Sequence, residues 1–394
     1  MLSDSTLNPL TKPRIEFIDL VRCFAFFCVL WHHSLSNLND ANLAATSDHY
    51  FVLDPFYKFF LTFHMPIFFM ISGFFFVSSL NLSFKEVLRK RFTTLIIPYI
   101  VWVIILAFAN WGMTLLGWKM AADRPFSVLG QLEAFLVPDP KVDFWFFREL
   151  FVTDIIVFIF CKIFKKLPIA FIGSMLFVML FDWFGIVTKT QRFMLPIFWT
   201  GILLKAYYPF FTKHLNKFLI SFGILFAACY YFYQWDYAIY FSQYPAIINL
   251  QQSFVEGKIV FDFTSIGVSG WRFLAGVTGS LFFFALFQRF WKKNAVTSSL
   301  SHCGQLTVGM YGLQAILLQR TMGNLLDFSG INIWVYRLII TPCSAVFTLF
   351  VCVLMIRLIQ NNKPLTFMLC GSSVVVDRSN RQDSVQVVDV QGAA

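Results

Sequence analysis

An all-α polytopic membrane protein is the fold class this sequence predicts, with about ten transmembrane helices and both termini on the cytoplasmic side. Two observations carry the class and a third sets the orientation. Of 394 residues, 58% are hydrophobic and only 13% charged, and mean hydropathy is +0.68, a balance too apolar for a surface that faces water. The apolar residues come in unbroken runs of about 20, the length of a bilayer-crossing helix, whereas a closed barrel would alternate apolar and polar residues. The third observation is an uneven division of Lys and Arg between alternate loops.

The spans fall near 15–35, 57–79, 93–117, 144–164, 167–187, 191–209, 215–233, 269–290, 304–326 and 333–357. The first begins at Ile15, carries Arg22 inside it and lacks a small-residue cleavage site, so it reads as a retained helix and not a secretory signal. In the second, Pro66 removes a backbone hydrogen bond and Ser72-Gly73 permits a close helix approach. The third is entered through Arg89-Lys90-Arg91 and Pro98-Tyr99, and the fourth opens on Phe144-Trp145-Phe146-Phe147. The next three follow one another through short connections, and the last three lie beyond the loop 234–268. That loop and 118–143 are long enough to cap a mouth and too short to form a catalytic domain, so any chemistry sits in the membrane. No repeat of one half in the other is found. Three regions result: a cytoplasmic N-terminus 1–14, a transmembrane unit 15–358, and a polar cytoplasmic tail 359–394. From about 371 the tail is rich in Ser, Val, Asp and Gln without helical periodicity, so it is expected to be disordered.

With the N-terminus inside, the cytoplasmic segments hold Lys12, Arg14, Lys85, Arg89, Lys90, Arg91, Lys162, Lys165, Lys166, Lys205, Lys213, Lys217, Arg289, Lys292, Lys293, Arg357 and Lys363. The opposite loops hold only Lys58, Lys119, Arg124, Lys141, Lys189, Arg192, Lys258 and Arg320. This excess fixes the orientation. It also accounts for the net charge of +10 without a nucleic-acid partner. The eight cysteines form no CxxC pair and have no partner histidine spacing, so they read as packing residues and no metal site is expected.

A charge at a helix centre costs roughly 2.5 to 3.5 kcal/mol on insertion scales, which makes each one a functional candidate. Arg22 and His33 are eleven residues apart, which at about 100° per residue returns to within roughly 20° of one direction, about 16 Å along the axis. His32 points about 100° away. Snorkelling of Arg22 to headgroups and an interfacial seat for His33 form the plain structural alternative. Asp19, one turn before Arg22, tips the balance, because it can pair with the arginine and hold it toward the bundle interior. The basic cluster Arg89-Lys90-Arg91 suits either nucleotide phosphates or an anchor to the inner leaflet. Arg148, Arg192, Arg272 and Arg337 fall near the outer ends of different spans, where convergence would create a mouth for an anionic acceptor. Snorkelling is the alternative for Arg192 and Arg337.

These motifs resemble those of the bacterial acyltransferase 3 membrane proteins. The resemblance rests on Arg22 and His33 in the first helix and on the stretch from Met65-Pro66 through Phe68-Phe69 to Ser72-Gly73. It continues through Arg91 with Pro98-Tyr99, and through Phe144-Trp145-Phe146-Phe147. The motifs occur in family order along the whole chain. Where members often carry a second arginine and a late histidine, this sequence has Thr94 and Gln314. The resemblance implies O-acylation, usually O-acetylation, of a cell-envelope or lipid-linked carbohydrate, with cytoplasmic acyl-CoA as cosubstrate and no permanently bound cofactor. It implies a multi-pass protein of the bacterial inner membrane whose partners are acyl-CoA, a carbohydrate acceptor and membrane lipids.

On that basis the catalytic candidates are His33, Arg22 and Asp19. Arg22, Arg89, Arg91, Ser72 and Gly73 are candidates for the coenzyme, and Arg148, Glu149, Trp145 and Arg272 for the acceptor. A neutral imidazole can take a proton from a sugar hydroxyl as it attacks the acyl carbonyl. An acyl-histidine intermediate is the other open route. The rival class is a carrier or flippase for a small amphiphile that uses the same charges as a substrate site or proton relay. Reporter fusions after residue 86 and after residue 292 are expected to read cytoplasmic, and fusions near 48 and 250 to read outside; an outside signal at 86 would invert the topology and the donor side with it.

Overall fold

The computed structural model describes residues 15–37, 54–116, 144–180, 189–233, 255–260, 264–322 and 331–371. The expected mouth loops 118–143 and 234–268 therefore lie largely outside the described residues, as do the tail from 372 and the N-terminus 1–14. Among the described residues there is no strand. Helices occupy all ten expected stretches: α1 Glu16–Asn37, α2 Pro55–Phe76, α4 Ile97–Leu115, α5 Trp145–Phe164, α6 Leu167–Leu180, α7 Lys189–Ala206, α9 Leu215–Tyr231, α10 Thr264–Phe290, α12 Thr307–Ile316 and α13 Ile333–Ile359. Between them lie α3 Phe84–Arg91, α8 Tyr208–Lys213 and α11 Ala295–Gln305. Five described helical segments are long and apolar enough to cross a membrane: Glu16–Leu35, Pro55–Asn81, Phe84–Met113, Gly270–Phe290 and Ile333–Ile359. α6 and α9 are apolar and shorter.

Local chemistry sets the ends. Asp54 caps α2, its Oδ1 accepting from the amides of Phe56 at 2.8 Å and Tyr57 at 3.1 Å. Its other oxygen pairs with Arg337 of α13, so one carboxylate caps a helix start and faces a half-buried guanidinium together. Ser83 and Glu86 form a capping box that starts α3. The helix then runs through a π turn, Phe92–Ile96, into α4. Past α13 the chain does not leave the bundle at once. A further helix, α14 Lys363–Cys370, opens the segment expected as a polar tail. Trp102 Nε1 donates to the Leu369 carbonyl at 3.0 Å, and Gly371, at φ +68°, closes the helix against Thr94.

A tight crossing joins α2 to α7, and glycine makes it possible. A Cβ on Gly73 would overlap the Phe198 carbonyl oxygen, and one on Gly201 the Met70 carbonyl oxygen. Each helix thus presents its glycine to the other's backbone, the close approach by which membrane helices gain dispersion contacts. Gly304 of α11 meets the Asp19 carbonyl in the same way, and this crossing holds the first helix at its charged turn. Aromatic rings fill the space between the backbones, with Phe63, Phe69, Phe74, Phe147, Phe198 and Phe284 fully buried. Gly201→Val is expected to lower the thermal unfolding temperature of the detergent-solubilised protein, with overpacking worth about 1–3 kcal/mol. An unchanged midpoint would show that the helices do not cross there.

Candidate functional site

The charged turn of α1 forms one wall of a cavity. Arg22 Nη1 lies 3.2 Å from Asp19 Oδ1, a pairing that the one-turn spacing allows. Asp19 is buried, while Arg22 keeps 29% of its side chain accessible and sets its guanidinium 5.2 Å from the Phe75 ring centroid. Arg22 and Phe26 line a cavity of about 150 Å³ together with Met65, Phe68 and Ser72 of α2, Leu95 of the π turn, and Phe146 and Leu150 of α5. The break between α11 and α12 supplies Gly304, Gln305, Thr307 and Val308, and α12 adds Tyr311. The cavity therefore combines one cation, a few hydroxyl and amide groups, and apolar walls, a composition suited to a small ligand or to part of a larger one.

His33 stands further along the same helix and is not among the cavity residues. Its turn is anchored on both sides by α13. Trp31 Nε1 donates to Thr341 Oγ1 at 2.9 Å, and Tyr336 Oη donates to the carbonyls of Ser34 at 3.0 Å and Leu35 at 3.2 Å. Orphan carbonyls at the end of α1 are thereby satisfied, and a half-buried His33 is held in a defined position.

The neighbouring histidine has a different setting. His32 is buried and stacks between Tyr57, at 4.1 Å between centroids, and His64, at 4.8 Å, with the His33 ring edge-on at 5.2 Å. Both His32 ring nitrogens are buried and have no hydrogen-bond partner among the described residues. His64 in turn contacts the Phe60 carbonyl through Nδ1. The helical wheel separates the faces of His32 and His33, and the difference is visible: one imidazole is half-buried, the other is packed into an aromatic stack.

Of the other residues singled out in the sequence, Ser72 lines the cavity, whereas Gly73 faces the α7 crossing. Arg89 is exposed on α3. Arg91 lies one turn before the cavity residue Leu95, its Nε 3.0 Å from Asp154 Oδ2. Arg148 Nη1 lies 2.6 Å from Glu149 Oε1, with both residues buried on the turn of α5 between Phe146 and Leu150. Trp145 is half-buried at the start of that helix. Arg272 sits 4.7 Å over the Phe193 ring of α7.

The four arginines expected at one mouth have different described partners: Glu149 for Arg148, the Val178 carbonyl for Arg192 at 3.1 Å, Phe193 for Arg272 and Asp54 for Arg337. Arg192 and Arg272 come nearest to sharing a neighbourhood, through adjacent residues of α7. Sequence reasoning passed over Gln305 and Asp154, and noted Tyr311 only within a late-helix motif. Asp154 had a signal, a lone acid in the apolar run Ile155, Ile156, Val157, Phe158. Gln305 had none, because its place at the cavity depends on where the α11–α12 break falls.

A protein-family model described as an acyltransferase domain matches residues 15–357, nearly the whole chain. No curated protein and no solved structure matches it. The stack makes one prediction about His32. His32→Phe keeps a ring between Tyr57 and His64 and is expected to retain thermal stability, whereas His32→Ala loses about 1 kcal/mol or more of ring packing. A phenylalanine variant less stable than the alanine variant would mean that the imidazole nitrogens hold a polar partner.

Proposed function

This chain belongs to the acyltransferase family whose model spans residues 15–357, and from that membership we propose a membrane O-acyltransferase that acetylates a cell-envelope or lipid-linked carbohydrate with cytoplasmic acetyl-CoA. The observation that carries the reading is the arrangement along α1. Arg22, held by Asp19, lines a cavity at one end, and the anchored turn of His33 lies about 16 Å further along the same helix.

A cavity of about 150 Å³ is smaller than the roughly 300–1,000 Å³ of a typical small-molecule site. It suits the narrow pantetheine arm and not the nucleotide. In this reading the nucleotide phosphates stay at the basic end, near Arg22, Arg89 and Arg91, and the arm passes between Ser72, Phe146 and Tyr311 toward His33. The acceptor enters from the opposite side of the bilayer, past α5 and α10, where Trp145, Arg148, Glu149 and Arg272 are the candidate contacts. A bacterial inner membrane with ten crossings and both ends in the cytoplasm completes the topology.

The chemistry requires one proton to move twice. The acceptor hydroxyl oxygen attacks the thioester carbonyl carbon while His33 takes the hydroxyl proton. The carbon–sulfur bond then breaks with its electron pair left on sulfur, and the imidazolium returns the proton to the thiolate. Ester and free thiol are the products. Arg22 fixes the donor at the entrance, and Asp19 orients Arg22.

Incubating membranes with radiolabelled acetyl-CoA and envelope glycan tests the proposal. His33→Ala is expected to cut label transfer by about 10²- to 10⁴-fold, the usual cost of losing a general base, at normal membrane levels. Arg22→Ala is expected to be partly rescued by raised acetyl-CoA. Full transfer by His33→Ala removes the proposed base, and uptake of an amphiphile without any label transfer favours a carrier.

A further inference from the structure

Asp154 is a fully buried carboxylate, and among the described residues no hydrogen bond reaches either of its oxygens. Its one close ionic partner among the described residues is Arg91, whose Nε lies 3.0 Å from Oδ2. The approach is off the hydrogen-bonding direction, so the contact is electrostatic. Arg91 is 17% exposed, with its guanidinium carbon 5.7 Å from the Phe76 ring centroid. Nε is the inner edge of the fork. The terminal nitrogens Nη1 and Nη2, which carry four of the five N–H donors, make no hydrogen bond or ion pair among the described residues.

The pair is also placed against the cavity. Leu95, one turn after Arg91, and Leu150, one turn before Asp154, both line it. The ion pair therefore lies one turn beyond the cavity on two separate elements, the end of α3, where the π turn begins, and α5. A π turn at that point, Phe92–Ile96, inserts an extra residue into the helix and turns the side chains that follow, a feature common at functional sites.

We propose that Asp154 is a positioning residue, which holds Arg91 by its Nε edge so that Nη1 and Nη2 face an anionic group entering the cavity, the phosphates of the acyl donor. This rests on the acyltransferase reading above for the donor's identity. The division of labour uses a property of arginine alone. A planar guanidinium can meet a carboxylate on one edge and a phosphate on another, while a lysine ammonium is a point charge that cannot hold both orientations. Asp154 also accounts for how Arg91 is retained at the edge of the apolar region when no donor is bound, since an unpaired charge there is costly.

The test uses the full-length detergent-solubilised protein and measures binding of coenzyme A directly, alongside steady-state transfer from acetyl-CoA. Asp154→Asn, nearly isosteric, is expected to raise the Kd for coenzyme A and the KM for acetyl-CoA about tenfold, the order found when a partner behind a ligand-holding side chain is lost, with kcat little changed. Arg91→Lys is expected to match it, and the double variant to be no worse than either single one. If Asp154 only neutralised a nearby cation, Arg91→Lys would keep wild-type affinity. That outcome, or unchanged affinity in Asp154→Asn, overturns the proposal. Should Asp154→Asn fail to reach the membrane, Arg91→Lys decides alone. Binding separates this inference from the reading beneath it. Asp154-dependent coenzyme binding without acyl transfer supports the positioning role and removes the proposed reaction, while absence of coenzyme binding by the wild-type protein removes both.

Discussion

Charge in an apolar medium must be answered locally, and the organisation of this bundle follows from how each buried or half-buried arginine is answered. Arg22 has Asp19 and the Phe75 ring, Arg91 has Asp154 and the Phe76 ring, and Arg337 has Asp54 and the Trp334 ring. Arg148 has Glu149, Arg192 a backbone carbonyl, and Arg272 the Phe193 ring. The pairing is short-range where the two charges share a helix and long-range where they do not. Asp19–Arg22 and Arg148–Glu149 stiffen single turns. Arg91–Asp154 and Arg337–Asp54 join separate helices, and removing one partner from such a pair leaves an uncompensated charge, at a cost of about 3–5 kcal/mol.

Close packing turns these pairs into a site. Lipid offers no hydrophobic drive between helices, so association rests on dispersion contacts between closely fitted surfaces. The reciprocal glycines of α2 and α7 bring two backbones together, and Gly304 brings α11 onto α1 at Asp19. With α1 held there and hydrogen-bonded to α13 through Trp31 and Tyr336 at its other end, Arg22 and His33 become two fixed points on one rigid rod. A helix fixed at both ends preserves their separation, and positioning of that kind is what a catalytic constellation requires.

Much of this was legible in the sequence, because lipid imposes strong and simple rules. Apolar runs of helical length located all ten helical stretches, and the intramembrane charges pointed to Asp19 with Arg22. The spacing of Arg22 and His33 predicts a shared face, and of the two only Arg22 lines the cavity. What stayed hidden depends on contacts between distant segments. Gly73 was read with its neighbour Ser72 as one motif, yet adjacent residues on a helix face about 100° apart, and only Ser72 lines the cavity. Arg91 read as part of a basic cluster, and its tie to Asp154 depends on α5 lying beside the π turn. The amphiphilic segment after α13 carries Lys363 and Pro364 and reads as the start of a tail, but Leu369 and Trp102 dock it onto α4.

Irregular backbone borders the cavity at two places. In an apolar medium a departure from the regular helix leaves amides and carbonyls that need other partners, so it is tolerated where protein or a polar cavity covers it. The π turn at Phe92–Ile96 contributes Leu95, and the break at Leu306 places Gly304 and Gln305 on one side and Thr307 and Val308 on the other. Thr307 Oγ1 donates to the Gly304 carbonyl at 3.1 Å across that break, supplying a partner that the interrupted helix lacks. Gly304 meets Asp19 on one side of that break, and Tyr311 sits among Phe144, Phe146 and Phe147 on the other. The break that disrupts the hydrogen-bond ladder is thus the same feature that joins the charged wall on α1 to the aromatic wall on α5.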